Sequence, residues 1–230
     1  ISCNAKRNIA ALLSVKDKTA YHLFDCKNLR VTKKAKWQSQ QADMITSLDL
    51  DPEGTRIVTI DRSGVCLVSE VDSDAYLFDI MAGDSYFNKC RWCPVTEAPI
   101  IAVKFEKTQF NLLDVNKQTF ILKDAISLDA NSTLNIDWRR DGNLLASCGW
   151  DQNVKIFDRR ENKTVRTFNT LHSHWIRSVR WSPHGNTIAT AAQDGSVKVI
   201  DFASGKLIYH GNTPDGKAAN SICFLDVNYQ

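Results

Sequence analysis

The chain has 230 residues, 43% hydrophobic and 24% charged, a mix that fits a globular protein with a sizeable core and excludes disordered or fibrous classes. Its formal net charge of +3 is too small to announce a nucleic-acid surface. No run approaches the ~18 apolar residues needed to cross a bilayer, and no signal-peptide pattern stands at the front. The seven cysteines are odd in number and scattered, and several occupy places where related segments carry Val, Ala or Ser. They read as small buried hydrophobes in a reducing compartment, cytoplasmic or nuclear. Two glycosylation triplets, Asn131-Ser-Thr and Asn162-Lys-Thr, read as chance matches.

In chain order, Asn8-Ile-Ala-Ala-Leu-Leu13 and Tyr21-His-Leu-Phe-Asp25 read as two short strands, the back half of a small unit. Leu50-Asp-Pro-Glu-Gly54 then ends a strand and turns. Trp92-Cys-Pro94, Trp138-Arg-Arg-Asp-Gly142 and Trp181-Ser-Pro-His-Gly185 stand in the same place, at spacings of 42, 46 and 43 residues. Residues 142–158 and 185–201 align without a gap and are identical at seven of seventeen positions. A period of this length means an array of one small unit. The last full copy shows the unit's texture: Ile176-Arg-Ser-Val-Arg-Trp181 alternates, 187–192 is a small apolar strand, and Gln193-Asp-Gly-Ser196 is a tight turn. Val197-Lys-Val-Ile-Asp201 and Lys206-Leu-Ile-Tyr-His210 complete it. No stretch sustains a helical period, so the chain reads as all-β. One more step of 43 lands on Phe224.

A strand ending Trp-Ser-Pro-x-Gly, a small-residue strand, a turn Asp and a strand closing on an aromatic-Asp pair together resemble the WD40-repeat β-propellers. The likeness is specific at 142–158 and 185–201, moderate at 45–69 and loose at 86–122. It implies a single propeller domain of four-stranded antiparallel blades, with units near 1–43, 44–85, 86–130, 131–173 and 174–217 and the first strand of a further unit at 218–230. Seven blades are that family's norm, so the resemblance implies part of a larger propeller. The alternative is a closed five-unit ring in which residues 219–227 pair beside 8–15.

The departures from the family pattern are specific. Phe24, Phe157 and Ile200 replace the closing Trp, and the opening Gly-His survives only as Leu171-His172. In the family, a His, a strand Ser/Thr, the turn Asp and the Trp form a hydrogen-bonded tetrad. His172, Thr190 and Asp194 supply three members here, but Ile200 has no N–H to offer, a loss of about 1 kcal/mol. Ser147 and Asp151 hold the corresponding places one unit earlier, where Asp129 stands at the His position. These blades are expected to lean on apolar packing.

Motifs for chemistry are sparse. Cys90-Arg-Trp-Cys93-Pro94 overlays on Val179-Arg-Trp-Ser-Pro183, which makes it strand and turn rather than a redox helix start, and no second ligand pair supports zinc. His172-Ser-His174 is explained by the tetrad and leaves His174 alone. No phosphate loop, dinucleotide fingerprint, nucleophile elbow or HExxH occurs, and the turn carboxylates are placed by the repeat. The expectation is a protein that is not an enzyme and takes no cofactor or metal.

Surface recognition remains. In WD40 propellers the loops joining the second and third strands, with the start of the first, ring the narrow face where partners dock. Carried over by position, these are Trp150 and Gln193 before the turn Asp, and Trp175 and Arg177 at strand entry. Trp and Arg are enriched in binding hot spots. The bland alternative is that Trp150 and Trp175 pack on neighbouring blades. Phe157-Asp158-Arg-Arg160 is similar to the Trp-Asp-x-Arg element that docks some family members onto the adaptor of cullin-RING ubiquitin ligases. The basic stretches Lys33-Lys-Ala-Lys36 and Arg159-Arg-Glu-Asn-Lys163 read as solvated loops, since no aromatic interleaving accompanies them. The reading is a non-catalytic scaffold that binds other proteins in a larger complex, away from membranes. A ubiquitin-ligase substrate receptor and an RNA- or DNA-associated subunit are the alternatives.

Overall fold

Strands pair antiparallel with their sequence neighbours in consecutive groups of four, and five sheets result among the described residues. The computed structural model describes residues 1–14, 16–36, 43–73, 75–81, 89–105, 109–121, 126–127 and 133–225. They fall in two compact units, Ile1–Ser127 and Leu128–Gln230.

The first unit holds three sheets. Strands β1 (Ser2–Asn4), β2 (Ile9–Leu13), β3 (Ala20–Asp25) and β4 (Arg30–Lys36) form one. Strands β5 (Ile45–Leu50), β6 (Arg56–Asp61), β7 (Val65–Glu70) and β8 (Tyr76–Met81) form the next. Strands β9 (Lys89–Trp92), β10 (Ile100–Phe105), β11 (Gln109–Asp114) and β12 (Thr119–Phe120) form the third, and β13 (Ile126–Ser127) also pairs with β11. The second unit holds β14 (Thr133–Trp138), β15 (Leu144–Gly149), β16 (Val154–Asp158) and β17 (Lys163–Phe168). Its other sheet is β18 (Ile176–Trp181), β19 (Thr187–Ala192), β20 (Ser196–Asp201) and β21 (Leu207–Asn212).

Cores lie between neighbouring sheets, not within any one of them. Successive residues of a strand point to opposite faces, so the middle sheet of the first unit feeds two cores. Ile57, Val65 and Leu67 pack against Ala11, Tyr21 and Leu23 of the preceding sheet. Val58, Ile60 and Val68 pack against Trp92, Ile101 and Val103 of the following one. In the second unit Leu144, Ala146, Ile156 and Phe168 meet Ile176, Val179, Trp181 and Ile188. Burial on both faces explains why β15 reads Leu-Leu-Ala-Ser-Cys-Gly, buried throughout and without alternation. Outer strands are the reverse, and five of the six residues of β21 are exposed.

The sheets are also joined by a hydrogen bond that the sequence does not advertise. Asp49 Oδ2 accepts the Trp92 N–H at 2.8 Å, and its other oxygen meets the Ser2 hydroxyl at 2.6 Å and Arg91 Nη1 at 3.2 Å. In the second unit Asp137 accepts the Trp181 N–H at 2.9 Å, with Arg180 3.6 Å away. Between the first two sheets Ser2 Oγ takes this role, accepting the Leu50 N–H at 3.1 Å. All three acceptors are buried.

The expected pairing of 219–227 beside 8–15 is corrected on the described part of those segments. Strand β2 already has β1 on one edge and β3 on the other, so no edge is left to pair. Residues 219–225 form no strand and lie along β19 and β18, with the Ala219 N–H on the Ala192 carbonyl at 2.9 Å and the Ile222 N–H on Ser178 Oγ at 3.4 Å. Val15, Asp129, Asn131 and residues 226–227 lie outside the described residues. Among the described residues no helix is long and apolar enough to cross a membrane.

Candidate functional site

Four residues singled out at one end of the second unit come together. The turn after β15 carries Trp150, and the segment leading into β18 carries Trp175. Their rings stack with centroids 5.0 Å apart and planes 18° from parallel. Both remain about a third exposed, Trp150 at 37% and Trp175 at 36%. Packing between sheets and exposure to solvent therefore hold at once. The connecting segment is drawn over the turn by the Leu171 N–H on the Gln152 carbonyl at 3.1 Å and the Thr170 N–H on Asn153 Oδ1 at 2.9 Å. Gln193 donates its N–H to the Trp175 carbonyl at 2.8 Å, and its side-chain oxygen accepts from Arg177 Nε. Arg177 is thus tied through Gln193 to the backbone of Trp175. His174 stands edge-on to Trp175 at 4.8 Å and accepts that residue's N–H on Nδ1 at 2.9 Å.

Beneath this surface sits a polar network around His172, whose side chain is fully buried. Ser196 Oγ donates to Asp194 at 2.6 Å, so His172 Nδ1–H donates to Ser196 Oγ at 2.8 Å and Nε2 accepts from the Thr190 hydroxyl at 2.8 Å. Burial lowers the His172 pKa, against the pull of Asp194, and keeps the ring neutral. Burial works to raise the Asp194 pKa. The Ser196 hydroxyl and N–H, the Ser173 N–H and His172 overcome it and hold the carboxyl well below its usual range. Ile200, in place of the tetrad's Trp, is 1% exposed and fills the core instead.

One sheet earlier the corresponding residues assemble differently. Ser147 Oγ donates to the Lys155 carbonyl at 3.4 Å, and Asp151 pairs with Lys155 Nζ at 3.2 Å and caps the Asn153 N–H at the same distance. Lys155 replaces histidine as the partner of the turn carboxylate. Its counterpart Lys198 reaches the Leu171 carbonyl instead.

Asp158 and Arg160 lie at the opposite end of β16 from Trp150, about 15 Å along a five-residue strand. The guanidinium straddles the buried carboxylate, Nε at 3.1 Å and Nη2 at 2.6 Å, and its side chain stays 60% exposed. At this end sequence reasoning missed the aromatic partners of the arginines. Arg139 lies over Trp181 and Phe202 at 5.8 and 5.9 Å, and Arg166 over Phe168 and Phe202 at 4.8 and 5.6 Å. Except for Arg166 and Phe168, two residues apart on one strand, the partners are tens of residues apart, so only folding reveals them.

The other motifs do not converge on a site. Cys90 is buried within β9 and Cys93 just past its end, and His174 is exposed while His172 faces inward. Among the described residues no three His, Cys, Asp or Glu side chains are grouped to hold a metal ion.

Residues 162–201 match the family described as WD domain, G-beta repeat, and residues 90–175 match the one described as anaphase-promoting complex subunit 4 WD40 domain. No curated protein matches the chain. Among solved structures, a chain of the "Crystal Structure of Mitotic Checkpoint Complex" is similar at 18% identity and a TM-score of 0.80, over 96% of this chain and 64% of that one. This chain therefore spans a little under two thirds of that chain's length. At such identity the likeness speaks for fold alone, and 1767 solved chains match, so it selects no single function. Repeat period, four-stranded antiparallel sheets, the histidine network and the two matched segments together support a WD40-repeat β-propeller.

Proposed function

We propose that the chain is a non-catalytic platform that assembles a multiprotein complex, docking a partner on the face formed by Trp150, Trp175, Arg177 and Gln193. The observation that carries this reading is the stacked, solvent-facing tryptophan pair. A fold that needed these rings only for packing gains nothing by leaving a third of each in water. Stacked rings lose little rotamer freedom on binding, and the Arg177 guanidinium, oriented by Gln193, adds directed donors. WD40 propellers generally serve as interaction scaffolds, and both named relatives belong to complexes by their descriptions. The test is affinity capture with wild type, Trp150→Ala and Arg177→Ala, each checked for intact folding. The expected result is selective loss of the same partner set from both variants, and undiminished capture defeats the reading.

A second reading, docking onto a ubiquitin-ligase adaptor, is favoured by Arg160, whose guanidinium is fixed on Asp158 yet mostly exposed. Its test is co-purification of a cullin adaptor that disappears with Arg160→Ala and survives Trp150→Ala.

A further inference from the structure

We propose that the end of the second unit opposite the tryptophan pair is a docking surface for an acidic, Asp/Glu-rich protein segment. The turns 139–143, 159–162, 182–186 and 202–206 all lie at this end, because strands alternate direction through both sheets. They are tied together. The Arg159 N–H donates to the Asn143 carbonyl at 2.9 Å, and the Phe202 N–H to the Asn186 carbonyl at 2.9 Å. Arg139 reaches from one sheet to the other, where a Cβ on Gly185 would stand 2.9 Å from its Cγ.

The charges at this end do not balance. Asp141 is held by Arg139, which brings its pKa down to about 2, Asp158 is held by Arg160, and Glu161 by Lys163 at 2.7 Å. The fourth carboxylate, Asp201, accepts the Ser204 hydroxyl and N–H at 2.6 and 2.7 Å. Three cations, Arg140, Arg159 and Lys206, are left without a carboxylate, and Arg166 faces Asp201 only through its field. Arg140 and Lys206 are exposed, and Arg159 is half-buried with its Nε unpartnered. Arg166 spends its guanidinium on aromatic rings and on the Phe202 and Ala203 carbonyls. Unsatisfied guanidinium forks beside a rigid floor match carboxylates in charge and geometry.

The surroundings favour a protein segment over nucleic acid. The aromatic rings here, Trp181, Phe202 and Phe168, already lie under Arg139 and Arg166, so they offer bases little face to stack on. Four carboxylates interspersed with the cations repel a continuous phosphate backbone, yet they leave room for side chains that can choose their spacing.

The experiment is fluorescence anisotropy of a labelled oligo-glutamate peptide against the whole chain, with oligo-glutamine and single-stranded DNA as comparison probes. Oligo-glutamate is expected to bind, weakening with added salt, and the double variant Arg140→Glu/Arg159→Glu is expected to lose about tenfold or more in affinity. Arg140→Gln/Arg159→Gln, which removes charge without adding any, is expected to fall between. Lys34→Glu, a reversal on the exposed strand β4 of the first unit, is expected to leave binding unchanged, as is Trp150→Ala. Equal binding of oligo-glutamine, loss with Lys34→Glu instead of the arginine variants, or tighter binding of single-stranded DNA than of peptide overturns the proposal. Because Trp150 lies at the other end, this result and that of the capture experiment stand or fall separately.

Discussion

Asp137 accepts the backbone N–H of Trp181 at 2.9 Å across the boundary between two sheets, and Asp49 does the same for Trp92 at 2.8 Å. Replacing Asp137 by Ala leaves a buried N–H unpaired and Arg180 without its carboxylate. The expected loss of unfolding free energy is about 2–4 kcal/mol. Urea denaturation measures it, and a loss under half that range means the bond is solvated and dispensable.

His172 links stability to acid. Its ordinary pKa is 6.5 and the fold lowers it, so the unfolded chain takes up a proton that the folded chain refuses. The contribution is fully present above about pH 6.5 and drains away as the pH falls through the lower, folded pKa. Thermal midpoints of wild type are therefore expected to drop between about pH 7 and pH 5 more steeply than those of His172→Gln. Parallel curves for the two proteins refute the link.

The Trp150–Trp175 stack has a spectroscopic signature of its own. At 5.0 Å and 18° the two indoles couple, so wild type is expected to show an exciton couplet in the far-ultraviolet circular dichroism that Trp150→Ala lacks. The stack itself is expected to contribute about 0.5–1.5 kcal/mol beyond the area the rings bury, read as the coupling in a double-mutant cycle with Trp175→Ala. A larger coupling marks the pair as core.

Thiol reactivity divides the cysteines. Cys3, Cys26 and Cys223 are exposed, whereas Cys66, Cys90, Cys93 and Cys148 are buried. Burial raises the thiols of Cys66 and Cys148 and pushes Cys90 up to about 12. With a disulfide exchange reagent, three thiols are expected to react promptly and the other four only on unfolding. Fast reaction of a fourth in native buffer shows local opening.

Gly195 makes a backbone prediction. Its φ is +77°, and an added Cβ would stand 2.9 Å from the Gly216 carbonyl oxygen. Gly195→Ala is expected to destabilise by about 1–3 kcal/mol in the same urea titration, whereas Gly216→Ala, also at positive φ (+66°) but in open space, bears the dihedral cost alone.

The period, the turns and the strands of the last two sheets were legible because Gly142, Gly185, Asp151 and Asp194 answer to local backbone geometry. His172 was legible through the resemblance to the family's tetrad, whose Ser/Thr and Asp places Thr190 and Asp194 fill. The joints at Asp49 and Asp137 were not, because a carboxylate in mid-strand reads as solvent-facing until the next sheet covers it. Strand β1 escaped notice because three residues carry no period, and its pairing removed the edge that 219–227 was expected to use. Trp150 and Trp175 were named separately from the repeat, but their mutual stacking is a contact across 25 residues that no local pattern encodes.

In the three joints at Ser2, Asp49 and Asp137 the earlier sheet supplies a side-chain acceptor and the later one a peptide N–H, with Asp49, Arg91 and Arg180 of the later sheets adding side-chain contacts. A peptide N–H is common to all residues but proline, so this bond makes no demand on the side chain of the residue it receives. A copied segment therefore brings a working connector with it, and its successor can diverge without losing the fit. Leu50 and Trp92, unlike in every side-chain property except being apolar, are received by the same kind of bond.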